Sequence, residues 1–288
     1  MTHPAEDLAW QGERLDLDAY LERLGYDGDR APTLGTLRAL QRAHVTSIPF
    51  ENLEIFLGRG IPLGVEAVQD KLVRRRRGGY CFEHTELFAA VLERLGFTFT
   101  AFTARVSMGM EKLLPATHAL VRVELDGRLW ICDVGFGAGP LAPLEFTDGA
   151  ESEQDGWAYR LERLTGSLGG VAGVQQWALH QRGPRGWLRR HTFAVAPAYR
   201  IDYEVGNHFV STHPRSPFTG RVYAQRYGPY VHHELDGVKF TTTHADGRAE
   251  PVETRTLEPG EVPKVLAGVF GIELDAEDES RLVAGVAG

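Results

Sequence analysis

The hydrophobic period of this chain changes once, near Gly96, and that change limits the fold more than any other feature. Before it, apolar residues recur at helical spacing. Leu17, Tyr20, Leu21 and Leu24 fall at i, i+3, i+4 and i+7, with Asp16 as N-cap and Gly25 as the stop. Thr33 caps a second predicted helix carrying Leu37, Leu40 and Ala43, and Pro49 ends it, because a residue before proline avoids the α region. A third is expected around Val65, Val68 and Leu72. The clearest runs from Cys81 to Leu95, with Leu87, Phe88, Val91, Leu92 and Leu95 as its buried stripe and Gly96 as its C-cap. After Gly96 the period is two. Phe97 to Val106 reads as a strand, and His118 to Leu125 and Arg128 to Val134 flank Asp126-Gly127, a type I′ hairpin signal. Further strands are expected at Trp157 to Leu161, Gln176 to His180 and Trp187 to Val195. Asp148 to Gly156 and Gly166 to Gly173 read as loops, the second a mobile one. The last third is mixed: a helix from Ile201 to Phe209, a Pro-bearing loop from Ser211 to Phe218, Asp-Gly turns at Asp236 and Asp246, and helices at Pro263 to Val269 and Ala276 to Val283. Helices, then antiparallel strands, then a mixed lobe argue α+β rather than a doubly wound sheet.

At 288 residues the chain is long enough for two or three coupled lobes. With 31 basic against 39 acidic residues its net charge is −8, which argues against a nucleic-acid partner, since that needs a basic face. No apolar run approaches the length of a membrane helix. The N-terminal residues lack a signal-peptide pattern, so a cytoplasmic location is expected. Two cysteines, Cys81 and Cys132, exclude a disulfide framework and a Cys-rich zinc site, and no metal is expected.

Cys81 lies in Arg77-Gly78-Gly79-Tyr80-Cys81-Phe82-Glu83-His84. Two glycines let the backbone turn into the helix, and free amides at the helix start stabilise a thiolate or an oxyanion. The hairpin supplies partners. With a two-residue turn Leu125 pairs with Arg128, so Leu120 opposes Asp133 and His118 opposes Gly135. His118 and Asp133 then share a face as diagonal neighbours, roughly 7–8 Å apart at the backbone. The other face holds Ala119, Val121, Val123, Leu125, Trp130, Cys132 and Val134, so Cys132 reads as core. His232-His233 and the pair His208/His213 lack ligand spacing with a third donor. A Cys, a His and an Asp in this relation serve nucleophilic acyl transfer, with a thiolate–imidazolium pair expected before substrate binds. The pattern leaves the acyl donor open: a protease, a transglutaminase and an acyltransferase all use such a triad. Of the basic run Arg74 to Arg77, the first three read as a solvated face. Arg77, just before the Gly-Gly turn, is expected to pair with Glu51.

Four blocks in order carry a resemblance: Ser47-Ile48-Pro49-Phe50-Glu51-Asn52-Leu53, then Arg77 to Glu83, then His118-Ala119-Leu120-Val121, then Asp133-Val134-Gly135-Phe136-Gly137. A looser match runs from Ser211 to Phe218. On these residues the chain resembles an arylamine N-acetyltransferase. The resemblance implies a helical bundle over residues 1–97, an antiparallel β-barrel over 98–200 and an α/β lid over 201–288, with a triad arrangement like that of cysteine proteases. It implies Cys81, His118 and Asp133 as catalytic residues and acetyl coenzyme A as donor. It further implies a ping-pong transfer to a small aromatic amine or hydrazine, by a monomer or homodimer. Phe50, Phe136 and Phe218 match acceptor-pocket positions; Thr117, Gly137, Phe209 and Ser216 match positions near the coenzyme A arm. Two other expectations stay open. One is an amide synthase or other acyltransferase of the same fold with a carrier-protein or different acyl donor. The other is a catalytically silent protein that binds coenzyme A or aromatic ligands.

Overall fold

A computed structural model describes residues 9–165, 174–245 and 252–288. The predicted loop at 166–173 and the turn at Asp246-Gly247 lie outside these. The fold is α+β, as expected. Helix α1 (Leu17–Leu24) starts where the Asp16 carboxylate accepts from the Ala19 amide, and stops at Gly25 with φ 65°. Helix α2 (Leu34–Ser47) is capped by Thr33, and Ile48, the residue before Pro49, is already extended. Strand β1 (Phe50–Glu51) and the short α3 (Leu53–Phe56) follow. Helix α4 (Val65–Gln69) continues into a π turn at Asp70–Arg74, and α5 (Cys81–Arg94) is buried on nearly every side through Leu92.

The strands β2 (Thr98–Val106), β3 (His118–Leu125), β4 (Arg128–Cys132), β5 (Leu144–Glu145), β6 (Glu151–Gln154), β7 (Trp157–Leu164), β8 (Gln176–Gly183) and β9 (Gly186–Ala194) form one antiparallel sheet in the order β5-β4-β3-β2-β9-β8-β7-β6. It curls into a nearly closed barrel. Its edges meet through Gln154, whose side-chain amide donates to the Ala142 carbonyl at 3.1 Å and accepts from the Ala142 amide at 2.9 Å. Asp126 and Gly127 both have positive φ, at 51° and 72°, and Leu125 pairs with Arg128, so the predicted hairpin register holds.

Helix α6 (Arg200–Thr212), strands β10 (Tyr223–Gly228), β11 (Val231–Asp236), β12 (Lys239–His244) and β13 (Val252–Thr256), and helices α7 (Val262–Val265) and α8 (Ala276–Ala287) complete the chain. A second sheet runs β1-β10-β11-β12-β13, so a strand from the helical third joins the sheet of the last third. That sheet has its own apolar core, which includes Leu53, Leu235, Leu266, Phe270 and Leu282.

Two expectations for elements are corrected. Asp148 to Gly156 is not all loop, because β6 pairs with β7 through a turn with Asp155 and Gly156 at φ 50° and 82°. Glu-Ser-Glu-Gln has no apolar alternation to announce a strand, and β6 is a polar edge. Helix α6 also runs three residues past Phe209. Ser211 and Thr212 donate their hydroxyls to the carbonyls of Asn207 and His208 at 2.8 and 2.6 Å, which keeps these turn-favouring residues helical.

Candidate active site around Cys81

Cys81 is the first residue of α5, and a chain of close contacts fixes that helix start. Neither Gly78 nor Gly79 has positive φ; these glycines are required by proximity. A Cβ on Gly78 would lie 2.2 Å from the Pro49 carbonyl oxygen, so the loop can pass beside β1 only without a side chain. Glu83 reaches back to the Tyr80 amide at 3.1 Å and accepts from Lys71 Nζ at 2.8 Å. Arg77 is buried and pairs with Glu51 at 3.0 Å, as predicted, and also with Glu54 at 3.3 Å. Arg74, Arg75 and Arg76 are exposed.

The barrel brings the other two groups. His118 opens β3 and Asp133 follows β4. Both are buried, and His118 Nε2 lies 3.0 Å from each Asp133 oxygen. Its other ring nitrogen, Nδ1, is not engaged by the carboxylate. Gly135 lets this segment close onto the helix, since a Cβ there would lie 2.8 Å from Cys81 Cα. Cys81 and His118 line one cleft of about 1130 Å³. Cys132 lies on the opposite face of the hairpin, buried in the main core.

The electrostatics differ from the simple helix-start picture. Burial pushes the Cys81 thiol pKa up, and the Asp133 charge acts in the same direction. The amides of Phe82 and Ala119 pull it down, but less. The sulfur instead donates to the Thr117 carbonyl at 3.4 Å. A lone thiolate is therefore unfavourable, and ionisation of Cys81 needs a proton acceptor beside it. Burial pushes the Asp133 carboxyl up as well. The charges and hydrogen bonds of His118 and His191 outweigh that and hold it well below the usual carboxylate range.

His191 is the residue that the sequence did not single out. Its Nε2 is 2.9 Å from Asp133 Oδ2, and it is fully buried. Its signal was parity: in β9 it shares the inward face with Phe193, where a histidine is out of place among apolar residues. His118, Asp133 and His191 bring their donor atoms within 4.8 Å of one another, the spacing of a metal site. Both imidazoles already engage the carboxylate through Nε2, which fits a hydrogen-bonded cluster.

The other predicted positions separate. Phe50, Phe136, Phe218, Thr117, Phe209 and Ser216 all line the cleft. The rings of Phe50 and Phe218 are 5.7 Å apart, and Phe136 meets His118 edge-to-face at 5.1 Å. Ser216 donates its hydroxyl to the Val210 carbonyl at 2.5 Å, closing the turn after α6. Gly137 faces a small pocket behind the cleft, where a Cβ would lie 2.7 Å from Gln225 Oε1. It governs packing of β1 against β10 there. His232, set aside in the sequence, also lines the cleft and bonds Gln225 at 3.1 Å.

A buried thiol at a helix start and an imidazole–carboxylate pair on a barrel hairpin, opening on one apolar-walled cleft, define a thiol–imidazole–carboxylate protein of α+β architecture. The N-acetyltransferase family pattern matches residues 33–279. The arylamine N-acetyltransferase of Mycolicibacterium smegmatis is 38% identical over 90% of this chain and 93% of its own length. Human arylamine N-acetyltransferase 1 is 31% identical over 90% of this chain and 95% of its own. Among solved structures, the Nocardia farcinica arylamine N-acetyltransferase superposes with TM-score 0.92 at 52% identity, covering 99% of this chain and all of that one. The Mycobacterium marinum enzyme in complex with CoA gives TM-score 0.84 at 32% identity, over 94% of this chain and 98% of that one. The chain belongs to the arylamine N-acetyltransferase family.

Proposed function

We propose that this protein transfers acetyl from acetyl coenzyme A to an arylamine or arylhydrazine through a thioester on Cys81. The observation that carries the reading is the His118–Asp133 pair on the same cleft as a buried cysteine, in a chain of this family. His118 Nδ1 takes the Cys81 proton as sulfur attacks the acetyl carbonyl. The tetrahedral intermediate collapses, acetyl stays on Cys81, and the departing coenzyme A sulfur takes the proton from His118. The amine nitrogen then attacks the acetyl-cysteine carbonyl. His118 accepts the amine proton and returns it to the Cys81 sulfur as the amide leaves. Asp133 holds the His118 ring and supports its charge. The CoA bound by the M. marinum relative supports a coenzyme A thioester as the donor.

Phe50, Phe136 and Phe218 form the aromatic walls that take a flat acceptor, and Thr117, Phe209 and Ser216 border the way in for the donor arm. The division at 97/98 and 200/201 serves as a description of three functional lobes: one gives the nucleophile, one the His–Asp pair and one the cover. No helix among the described residues is long and apolar enough to cross a membrane. We place the activity in the cytoplasm, where a reducing pool keeps the thiol free.

The test is the mass of the protein after mixing with acetyl coenzyme A alone. One acetyl group is expected on the Cys81 peptide, retained in Cys132→Ser and lost in Cys81→Ser. A wild-type protein that gains no acetyl group would return the reading to a silent ligand-binding protein.

A further inference from the structure

His191 carries an inference that rests on the acetyl-transfer reading and deepens it. His118 lines the cleft, but Asp133 and His191 do not, so what these two do for the chemistry is done through His118. Asp133 lies just past the strand ladder. The last β3–β4 pair is Val121 with Cys132, so strand pairing does not set the direction of the Asp133 side chain. His118 does not set it either, because its Nε2 sits 3.0 Å from both carboxylate oxygens. The terminal bond of an aspartate rotates in a broad well. A donor shared equally by the two oxygens lies near the axis of that rotation and resists it little. His191 breaks the symmetry, since its Nε2 is 2.9 Å from Oδ2. Among the described residues, these two imidazoles are the side-chain partners of the carboxylate.

The hold on this side is rigid. His191 is pinned in β9 between two strands, opposite Val106 of β2 and Leu179 of β8. It is fully buried, with its ring 5.0 Å from that of His118, 5.5 Å from Phe136 and 6.0 Å from Phe193. Its protonation is fixed as well. Donation from Nε2 leaves Nδ1 as the acceptor, and Nδ1 is buried with no partner among the described residues. A proton on Nδ1 would have nothing to bond. The charged and titratable groups that act on it are Asp133, His118 and Arg190. Burial lowers its pKa, the charges of His118 and Arg190 act the same way, and the bond and charge of Asp133 offset this only in part. His191 is therefore a neutral donor, and the proton taken from Cys81 stays on His118. An orphaned buried nitrogen is unfavourable for folding, and an apolar side chain among these rings would avoid it. The use of a histidine here lies in the bond that it gives to Asp133.

We propose that His191 is a positioning residue: it locks the plane of the Asp133 carboxylate, and through it the angle at which His118 presents its free nitrogen to Cys81. The experiment compares the wild type with His191→Gln, which keeps an N–H donor, and with His191→Leu and His191→Phe, which do not. Single-turnover acetylation of Cys81 is followed over a range of acetyl coenzyme A concentrations, and iodoacetamide alkylation of Cys81 over a range of pH. In the two variants without the N–H, the maximal acetylation rate is expected to fall about 10- to 100-fold, with the half-saturating acetyl coenzyme A concentration little changed. Their alkylation is expected to rise at higher pH than in the wild type, and His191→Gln is expected to recover most of both. Equal losses in all three variants would make the residue a packing element and overturn the proposal. So would wild-type rates and profiles in a folded Leu or Phe variant, a loss confined to the half-saturating concentration, or failure of both of these variants to fold. A wild type that gains no acetyl group is a separate outcome, which refutes the acetyl-transfer reading. The alkylation profiles, which need no acetyl coenzyme A, then decide whether His191 holds the His118–Asp133 pair.

Discussion

At the scale of single residues, the two cysteines show how one residue type takes two roles from its surroundings. Cys132 packs in the main core, where burial raises its thiol pKa and nothing ionises it. Cys81 is raised by burial too, yet it opens on the cleft beside a histidine tethered by Asp133. The proposed chemistry therefore depends on His118 more than on the helix start. In the wild type, alkylation by iodoacetamide is expected to reach its plateau well below the free-thiol pKa of about 8.5. In His118→Asn, it is expected to rise only above that pH, because burial opposes a thiolate without an imidazolium beside it. A His118→Asn profile that overlays the wild type would place the proton acceptor elsewhere. The His118–Asp133 pair was legible because the hairpin register is arithmetic on an Asp-Gly turn, and Cys81 because two glycines precede a helix start. His191 was not. Its role depends on β9 pairing with β2, a contact between segments about 85 residues apart along the chain, and no local pattern encodes that.

At the scale of elements, β1 is the clearest case of a small piece with a large positioning role. Two residues long, it bridges Gly79 on one side and pairs with β10 on the other, and it carries Phe50 into the cleft. Its anchor is the buried cluster of Glu51, Glu54, Arg77, Lys71 and Glu83. Burial raises the Glu51 carboxyl pKa, and Lys71 and Arg77 more than reverse that, so the group stays ionised. Removing Arg77 leaves two carboxylates with less compensation. Arg77→Ala is expected to lower the free energy of unfolding by about 3–5 kcal/mol, read by urea denaturation at pH 7. A loss under about 1 kcal/mol, the size of an exposed pair, would show that the cluster is not a buried brace. The sequence located the Arg77–Glu51 pair from the place of Arg77 immediately before the Gly-Gly turn. It did not locate Lys71, whose partners Glu51 and Glu83 lie on other elements.

At the scale of the whole molecule, the cleft is lined from both sheets, by Trp157 and Gln181 of the barrel and Tyr223 and His232 of the second sheet, with Cys81 of α5 and Phe209 of α6 between them in its wall. The helical layer beneath holds a buried chain in which Tyr20 Oη meets His44 Nδ1 at 2.9 Å and His44 Nε2 meets His84 Nδ1 at 2.8 Å. Burial lowers both imidazoles, His84 to about 4, so both are neutral in the folded protein at pH 7. Unfolded, each titrates near 6.5. Between those values the unfolded chain binds more protons, so stability is present above about pH 6.5 and falls as the pH drops toward 4. Glu86, raised to about 7 by burial, acts in the opposite sense over part of the range. The expected outcome is a lower urea midpoint at pH 5 than at pH 7, with a smaller difference in His84→Gln; an unchanged difference would remove His84 from the account. The sequence by itself determined the α+β class, the caps of the first helices, the hairpin and the shared hairpin face of His118 and Asp133, because each follows from periodicity or turn geometry over a few neighbours. Only the tertiary structure decided which strand closes the barrel against Gln154, how β1 joins the distant sheet, and that His191 completes the Asp133 cluster. These depend on which strands pair and in what register, and pairing between distant segments is set by the packing of the whole core rather than by any one stretch of chain.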